Sequence, residues 1–263
     1  MGVAPNGLPN LEELIAAITP ETILIAAMYA NNETGVLQPI REIGALAKKH
    51  KVLFFTDATQ AVGKVPVDVR EANIDLLALS AHKIYGPKGV GALYVRRKSP
   101  RVSLAAQIDG GGHERGFRSG TLNVPGIVGL GVACKRSKAL MGIESERLRA
   151  LRNTFEHWVL QQDGASINGG AANRLAHVSN FSLPTFTGSE WVSKLNNELA
   201  FSVGSACSSA ANQPSHVLQA MGLPERVTNT SLRFSMGAST TAAALKEVQQ
   251  QLEKLIAGKV QSV

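Results

Sequence analysis

The sequence of 263 residues contains only two cysteines, Cys134 and Cys207, which are too few for the disulfide framework of a small secreted protein. A reducing, cytoplasmic compartment is therefore expected. No apolar run is long enough to cross a bilayer. The first residues also lack the basic and apolar regions of a signal peptide. These absences argue against a membrane-spanning or disulfide-stapled protein and predict no membrane partner.

The sequence also lacks a concentrated basic stripe, although Lys and Arg number 27 against 20 Asp and Glu, a net charge of +7. The densest basic cluster, Arg96, Arg97 and Lys98 with Arg101, is short and has few aromatic neighbours. A solvated surface explains it better than a nucleic-acid partner. The composition of 44% hydrophobic and 18% charged residues is that of a folded chain with one large domain or two smaller ones.

The first half of the chain alternates helical and strand-like patterns. Asn10 and Glu13 resemble a capping box that opens a helix ending near Ile18, and Pro39 opens another that ends near His50. Short apolar runs predict strands at 22–28, 52–56, 74–79 and 90–95. Strands separated by helices of this length predict an α/β fold with a mainly parallel sheet.

The second half has shorter elements, and a domain boundary is expected near residue 140. An apolar segment runs from Pro125 to Cys134, and a long helix is predicted from Glu144. The pattern predicts strands at 178–182, 201–203 and 232–235, and a last helix after Thr240. The predicted domains are therefore residues 1–140 and a smaller α+β domain of residues 141–263.

Lys83 lies just past a predicted buried strand, in the segment Ser80-Ala-His-Lys83. Ligands of open α/β sheets bind at the carboxyl ends of strands, and a lysine with a neutral amine there can form a Schiff base. Ser80 and His82 can donate hydrogen bonds to an anion. A lysine whose stem simply covers a turn explains Lys83 alone equally well. The glycines of residues 86–91 do not have the spacing of a nucleotide P-loop.

Two other strand ends carry polar residues. Asp57 ends an apolar strand and needs a partner, such as a protonated heteroaromatic nitrogen, although a helix cap explains it as well. The segment Asn31-Asn-Glu-Thr-Gly35 can bind a ligand oxygen, but closing a turn is its more common role.

Cys207 and Arg233 are the remaining candidates. Cys207 lies among Gly, Ser and Ala, which suggests a reactive, accessible thiol rather than an incidental one. Cys134 lies in an apolar run that predicts burial. Arg233 interrupts an apolar strand, where it either clamps a carboxylate ligand or pairs with an internal acid.

In this order, these segments closely resemble the cysteine desulfurases of the NifS and IscS type, members of the class-V aminotransferases that use pyridoxal 5′-phosphate (PLP). The resemblance runs nearly the whole chain and rests on residues 31–35, 57–60, 80–83, 110–121, 204–207 and 232–235. It implies a PLP-dependent transferase fold (aspartate aminotransferase-like), with a large PLP-binding domain and a small C-terminal domain that carries the cysteine loop.

The resemblance also implies roles for individual residues around the cofactor. Lys83 would form the Schiff base with PLP, Asp57 would face the pyridinium nitrogen, and Gln60 with Asn32 would bond the phenolic oxygen. The phosphate would be bound by Ser80, His82 and, across a homodimer interface, Thr121.

On the substrate side, Arg233, with Asn32, would hold the carboxylate of L-cysteine. Cys207 would take its sulfur as a persulfide, with release of L-alanine. Lys83, His82 and Cys207 form the expected catalytic set, and no metal is expected. An iron–sulfur scaffold or another thio-cofactor pathway would accept the sulfur.

One departure from the family concerns length. Family members carry roughly a third more chain before the point that matches Met1, so the large domain is expected to be incomplete at its N-terminus, as in a truncated product, a fragment or one part of a split protein. Two alternatives stay open: a selenocysteine lyase, and a non-catalytic remnant or partner subunit of the same family.

Overall fold

The computed structural model describes residues 2–195, 197–203 and 214–260. The chain forms two compact units. The first, called the four-stranded unit, comprises residues 18–29 and 39–141; the second, called the three-stranded unit, comprises residues 1–17, 30–38 and 142–263. This partition differs from the predicted division at 140, because it groups 1–17 and 30–38 with the C-terminal residues.

The four-stranded unit contains one sheet of order β1-β2-β3-β4. Its strands are β1 (Leu24–Met28), β2 (Leu53–Asp57), β3 (Leu76–Ser80) and β4 (Gly91–Val95). The pairs β1–β2 and β2–β3 are parallel, and β4 runs antiparallel to β3. The four predicted strands and the mainly parallel α/β fold are confirmed. Because β2 and β3 are parallel, their carboxyl ends lie at one edge of the sheet.

Helix α2 (Ile40–His50) packs an apolar face into the core of this unit. Its buried side includes Ile43 and Ala47, and the sheet contributes the fully buried Phe54. Gly44 is required in this helix, because a Cβ atom there would lie 1.9 Å from the carbonyl oxygen of Ala72. The helix therefore approaches the neighbouring backbone more closely than any side chain would allow.

The basic cluster of 96–101 is only partly the solvated surface that the sequence predicts. Arg97, Lys98 and Arg101 are exposed, but Arg96 is half-buried and its Nε lies 2.8 Å from Asp75 Oδ1. Arg96 Nη2 also donates to the carbonyl of Ile74 at 2.8 Å. This side chain therefore joins β3 to β4, and it is structural.

The three-stranded unit contains an antiparallel sheet of order β5-β6-β7. Its strands are β5 (Ser166–Ile167), β6 (Val178–Ser182) and β7 (Ser231–Ser235), and its helices are α1 (Leu11–Ala17), α4 (Gly188–Leu195), α5 (His216–Ala220), α6 (Glu225–Asn229) and α7 (Ala242–Val260). Rings of Phe155, Phe181 and Phe234 stack or meet edge-on with centroids 5.0–5.4 Å apart. They form the centre of its core.

Several predicted elements of this unit are confirmed, and one is wrong. The strands at 178–182 and 232–235 and the helix after Thr240 are present. The predicted capping box is only half formed: Asn10 Oδ1 accepts from the amides of Glu12 and Glu13 at 3.0 and 3.2 Å, but the main-chain amide of Asn10 donates to the Gly2 carbonyl and not to the Glu13 side chain. Residues 201–203 do not form a strand: Ser202 makes an isolated bridge with Arg233. This single bridge pairs the local backbone groups by hydrogen bonds but does not add a strand to the sheet.

Helix α3 (Val124–Val159) is a single helix of 36 residues, so the separate apolar segment and the helix from Glu144 are one element. Pro125 does not interrupt it, because proline is tolerated in the first turn. The predicted burial of Cys134 is wrong: its side chain is half-buried on this helix, where Val128 and Val132 are 59% and 54% exposed. Within the described residues, no helix is both long and apolar enough to cross a bilayer.

Candidate active site

The carboxyl ends of β2 and β3 bring predicted site residues of the four-stranded unit together. Asp57 ends β2 and pairs in register with Ala78 of β3, two residues before Ser80. The Asp57 side chain is exposed, and its Oδ1 accepts a hydrogen bond from the Thr59 amide at 2.9 Å. Asp57 therefore closes a local turn, as the helix-cap explanation from the sequence suggests. Its carboxylate remains accessible at the edge of the sheet.

Ser80, His82 and Lys83 lie within four residues at the same edge. A short 3₁₀ helix, Ala81–Ile84, follows β3 directly, with Ser80 in the N-cap position. Ser80 Oγ lies 2.6 Å from His82 Nδ1, so the hydroxyl and the imidazole form a hydrogen-bonded pair. His82 is exposed and Lys83 is half-buried. The Ser80–His82 pair and the Lys83 amine therefore extend from a single turn of the backbone.

A glycine is needed where the chain returns from this turn to β4. At Gly91, a Cβ atom would lie 2.4 Å from the carbonyl oxygen of Leu79. The absence of a side chain there lets β4 begin directly against the end of β3. This close return holds the Ser80–Lys83 segment against the sheet.

Two predicted cofactor residues of this unit lie outside that turn. Gln60 is half-buried and follows β2 by three residues. Thr121 is exposed in the segment that precedes α3. The roles of both residues stay predictions.

The segment 31–35 closes a turn, as its local chemistry favours. Asn31 Oδ1 accepts hydrogen bonds from the amides of Glu33 and Thr34 at 2.8 and 2.9 Å. The turn holds the Asn32 carbonyl where Arg233 Nη1 donates to it at 3.1 Å. In the three-stranded unit, the two predicted substrate residues, Asn32 and Arg233, are therefore in direct contact through the main chain of Asn32.

Arg233 and Glu33 also contact the residues on either side of the segment 204–213. The Arg233 amide donates to the Ser202 carbonyl at 2.8 Å, and Ser215 Oγ donates to Glu33 Oε2 at 2.5 Å. Cys207 itself lies outside the described residues, so its predicted role is not tested. The residues described on the two sides of 204–213 nevertheless contact this region. Ser202 is hydrogen-bonded to Arg233, and Ser215 is hydrogen-bonded to Glu33, which follows Asn32.

Sequence reasoning assigned no role to Glu33 or Lys64. Glu33 is fully buried, and its Oε1 has no hydrogen-bond partner among the described residues. Lys64 Nζ donates to the main-chain carbonyl of Lys83 at 3.0 Å. Desolvation by burial, together with the charge of Lys83, lowers the pKa of Lys64 to about 8. The one feature of the sequence that could have pointed to Lys64 is Gly63, the glycine directly before it in the turn after β2.

The side chains at the sheet edge fit PLP by their chemistry. An amine can bind an aldehyde covalently, a carboxylate can pair with a protonated ring nitrogen, and a hydroxyl–imidazole pair can bind a phosphate. Lys83, Asp57, Ser80 and His82 supply these groups from the carboxyl ends of two adjacent parallel strands, which is the edge that binds ligands in open α/β sheets. Within the described part of the chain, His, Cys, Asp and Glu form no group that could hold a metal ion.

Comparisons with known proteins identify the family. The profile of the aminotransferase class-V family matches residues 1–248. A curated cysteine desulfurase IscS from an Anaeromyxobacter species is 49% identical over 249 residues, which cover 94% of this chain and 61% of that protein. This chain thus spans about three-fifths of that relative's length.

Solved structures give the same result. The structure of a NifS-like protein from Rickettsia africae matches with a TM-score of 0.87 and 27% identity, covering 97% of this chain and 68% of that one. A structure described as SspA in complex with cysteine matches with a TM-score of 0.72 and 38% identity, covering 90% of this chain and 65% of that one. With a family match over 248 residues and this fold, the chain belongs to the class-V aminotransferases, a family of PLP-dependent enzymes.

Proposed function

We propose that the whole protein is a cysteine desulfurase, which converts L-cysteine to L-alanine and passes the sulfur to an acceptor. The observation that carries this proposal is the presence of Asp57, the Ser80–His82 pair and Lys83 at the ends of two adjacent parallel strands. The curated relative named cysteine desulfurase and the neighbour described with cysteine support the choice of substrate.

The residues of the four-stranded unit would hold and tune the cofactor. PLP, when bound, supplies an electron sink for the bond changes at the substrate. The Lys83 amine would bind the cofactor aldehyde, and Asp57 would keep the ring nitrogen protonated by placing a negative charge beside it. Ser80 and His82, with Thr121 from a second copy, would hold the phosphate. Gln60 would bond the phenolic oxygen, together with Asn32 of the three-stranded unit.

The residues of the three-stranded unit would bind the substrate and take its sulfur. Arg233 would pair with the substrate carboxylate, and its buried Nε has no partner among the described residues. The Cys207 thiolate would attack the substrate sulfur: a sulfur–sulfur bond forms, the carbon–sulfur bond breaks, and the carbon takes a proton to leave as alanine. The persulfide on Cys207 would then deliver its outer sulfur to an acceptor.

The partners of the protein follow from the same proposal. A homodimer is required if Thr121 serves the neighbouring copy, and a sulfur acceptor, such as an iron–sulfur scaffold, must be able to reach Cys207. A cytoplasmic location suits a free thiol nucleophile.

Lys83 is the first residue to test. Reduction with borohydride after addition of PLP to the purified chain should leave the cofactor on the peptide that contains Lys83, and Lys83→Ala should abolish this labelling. Lys88→Ala, which removes an exposed lysine five residues away, serves as the control and should retain it. Labelling of Lys64 or Lys88 instead would refute the assignment, and a chain that binds no PLP would favour the non-catalytic alternative.

Cys207, and not Cys134, is expected to carry the persulfide. Cys207→Ser should abolish sulfide release from L-cysteine and leave PLP bound, because the nucleophile alone is removed. Cys134→Ser is the matched control and should retain turnover. Mass spectrometry after incubation with L-cysteine checks the site: added sulfur on the Cys134 peptide alone would contradict the mechanism. Turnover of selenocysteine without turnover of cysteine would favour a selenocysteine lyase.

A further inference from the structure

The turn after β2 packs closely against the 3₁₀ helix that carries Lys83. Gly63 has φ +75°, and a Cβ atom there would lie 2.9 Å from Ile84 Cγ2 and 2.7 Å from Ser137 Cβ. No larger residue fits this approach without displacing either the 3₁₀ helix or α3. The glycine therefore brings the next residue, Lys64, against the backbone of the 3₁₀ helix.

Lys64 uses this position to bind the main chain of Lys83. Its Nζ donates to the Lys83 carbonyl at 3.0 Å, across 19 residues of sequence. The last carbonyls of a helix have no donor within the helix, so an external cation stabilises them. This contact fixes the peptide group from which the Lys83 side chain extends, and it places a second amine near the first.

The two amines interact electrostatically as well as through the backbone. Burial and the charge of Lys83 lower the pKa of Lys64 to about 8. The α3 side chain that faces Gly63 is Ser137, which carries no charge, and the 3₁₀ helix faces the turn with Ile84 and Lys83. The charge on Lys64 therefore changes at a pH where many enzymes work, because burial and the repulsion from Lys83 oppose the positive charge on Lys64.

We propose that Lys64 is a positioning residue for Lys83: it anchors the Lys83 backbone and keeps the Lys83 amine oriented and reactive toward an aldehyde. The inference rests on the proposed role of Lys83 as the residue that binds PLP. A contact that only stabilised the fold would be reflected in thermal stability, whereas a positioning role must also change the reactivity of the Lys83 amine.

The test measures that reactivity without the cofactor. The purified chain is labelled with trace acetic anhydride, and the rate at Lys83 is read by peptide mass spectrometry for wild type, Lys64→Met, Lys64→Arg and Lys88→Met. Lys64→Met removes the donor, Lys64→Arg retains a cationic donor, and Lys88→Met removes an exposed lysine of the same segment as a matched control. We expect Lys64→Met to lower the Lys83 rate at least threefold at pH 7.5, and the other two variants to stay within a factor of about two.

A pH series keeps the proposal testable if Lys64→Met does not fold. Between pH 7 and 9.5, wild type loses the charge on Lys64 while Lys64→Arg retains it, so their Lys83 labelling rates should diverge above about pH 8. Identical profiles for wild type and Lys64→Arg, or equal rates for Lys64→Met and Lys88→Met, would overturn the proposal. Borohydride trapping of PLP on another lysine would instead refute the role of Lys83 in PLP binding and leave this comparison of amine reactivity intact.

Discussion

Asp57 shows how one residue can satisfy the backbone and still serve a ligand. One carboxylate oxygen accepts the Thr59 amide in a local turn, and the exposed side chain leaves the carboxylate accessible at the sheet edge. An amide at this position keeps an oxygen for the same turn but has no negative charge. The charge and the local structure of Asp57 can therefore be separated by one substitution.

Asp57→Asn is expected to bind PLP and to lower the rate of cysteine turnover by more than about tenfold, a barrier increase above about 1.4 kcal/mol. A neutral amide holds the protonated ring nitrogen less strongly than a carboxylate does. The absorbance of bound PLP and the rate of alanine formation measure the two effects. Asp68 forms the same kind of turn with the Arg70 amide at 2.8 Å, so Asp68→Asn is the control. Equal rates for the two variants would remove Asp57 from the mechanism.

Among the elements, the turn after β2 depends on close approach rather than on apolar burial alone. Gly63 and Gly89 have nearly the same positive φ, +75° and +77°. A Cβ at Gly63 would clash with Ile84 and Ser137, whereas a Cβ at Gly89 would have nothing within 4 Å. The two positions therefore share the strain of a positive φ but differ in packing.

Gly63→Ala is expected to reduce the free energy of unfolding by about 2–4 kcal/mol, the sum of backbone strain and overpacking. Gly89→Ala should introduce only the backbone strain, which lowers the free energy of unfolding by about 1 kcal/mol. Urea unfolding of both variants measures the difference. Gly63→Ala should also weaken PLP binding, because it moves Lys64 away from the Lys83 carbonyl. Equal losses of stability in the two variants would show that the close approach is not required.

At the scale of the whole molecule, each compact unit carries predicted site residues of its own. The four-stranded unit carries Lys83 and Thr121, and the three-stranded unit carries Arg233. Helix α3 exposes Val124, Val128 and Val132, which at a spacing of four residues lie on one face of a helix. Exposed apolar side chains in one stripe are stabilised when another surface covers them. The stripe is consistent with the proposed homodimer.

Light scattering at micromolar concentration is expected to give twice the chain mass of 27.8 kDa. Thr121→Ala should retain the dimer and weaken PLP binding, because one exposed hydroxyl contributes little to association but can donate to a phosphate. A monomer under these conditions, with PLP bound at unchanged affinity, would contradict the role of Thr121 across an interface.

The α/β class, the four strands of the first sheet and the order of the motifs that identify the family could all be predicted from the sequence. These features follow from local apolar patterns and from residues close together in the chain, such as Ser80, His82 and Lys83. Local chemistry also predicted the turn that Asn31 closes.

Contacts between residues far apart in the sequence could not be predicted, because they depend on how the chain folds. Lys64 binds Lys83 across 19 residues, and Ser215 binds Glu33 across 182. Neither contact has a periodic or compositional signature, because each depends on how turns from separate elements pack together. The same reason explains the errors: the continuity of α3 and the half-exposed Cys134 depend on which neighbours cover the helix, and apolar sequence alone does not specify those neighbours.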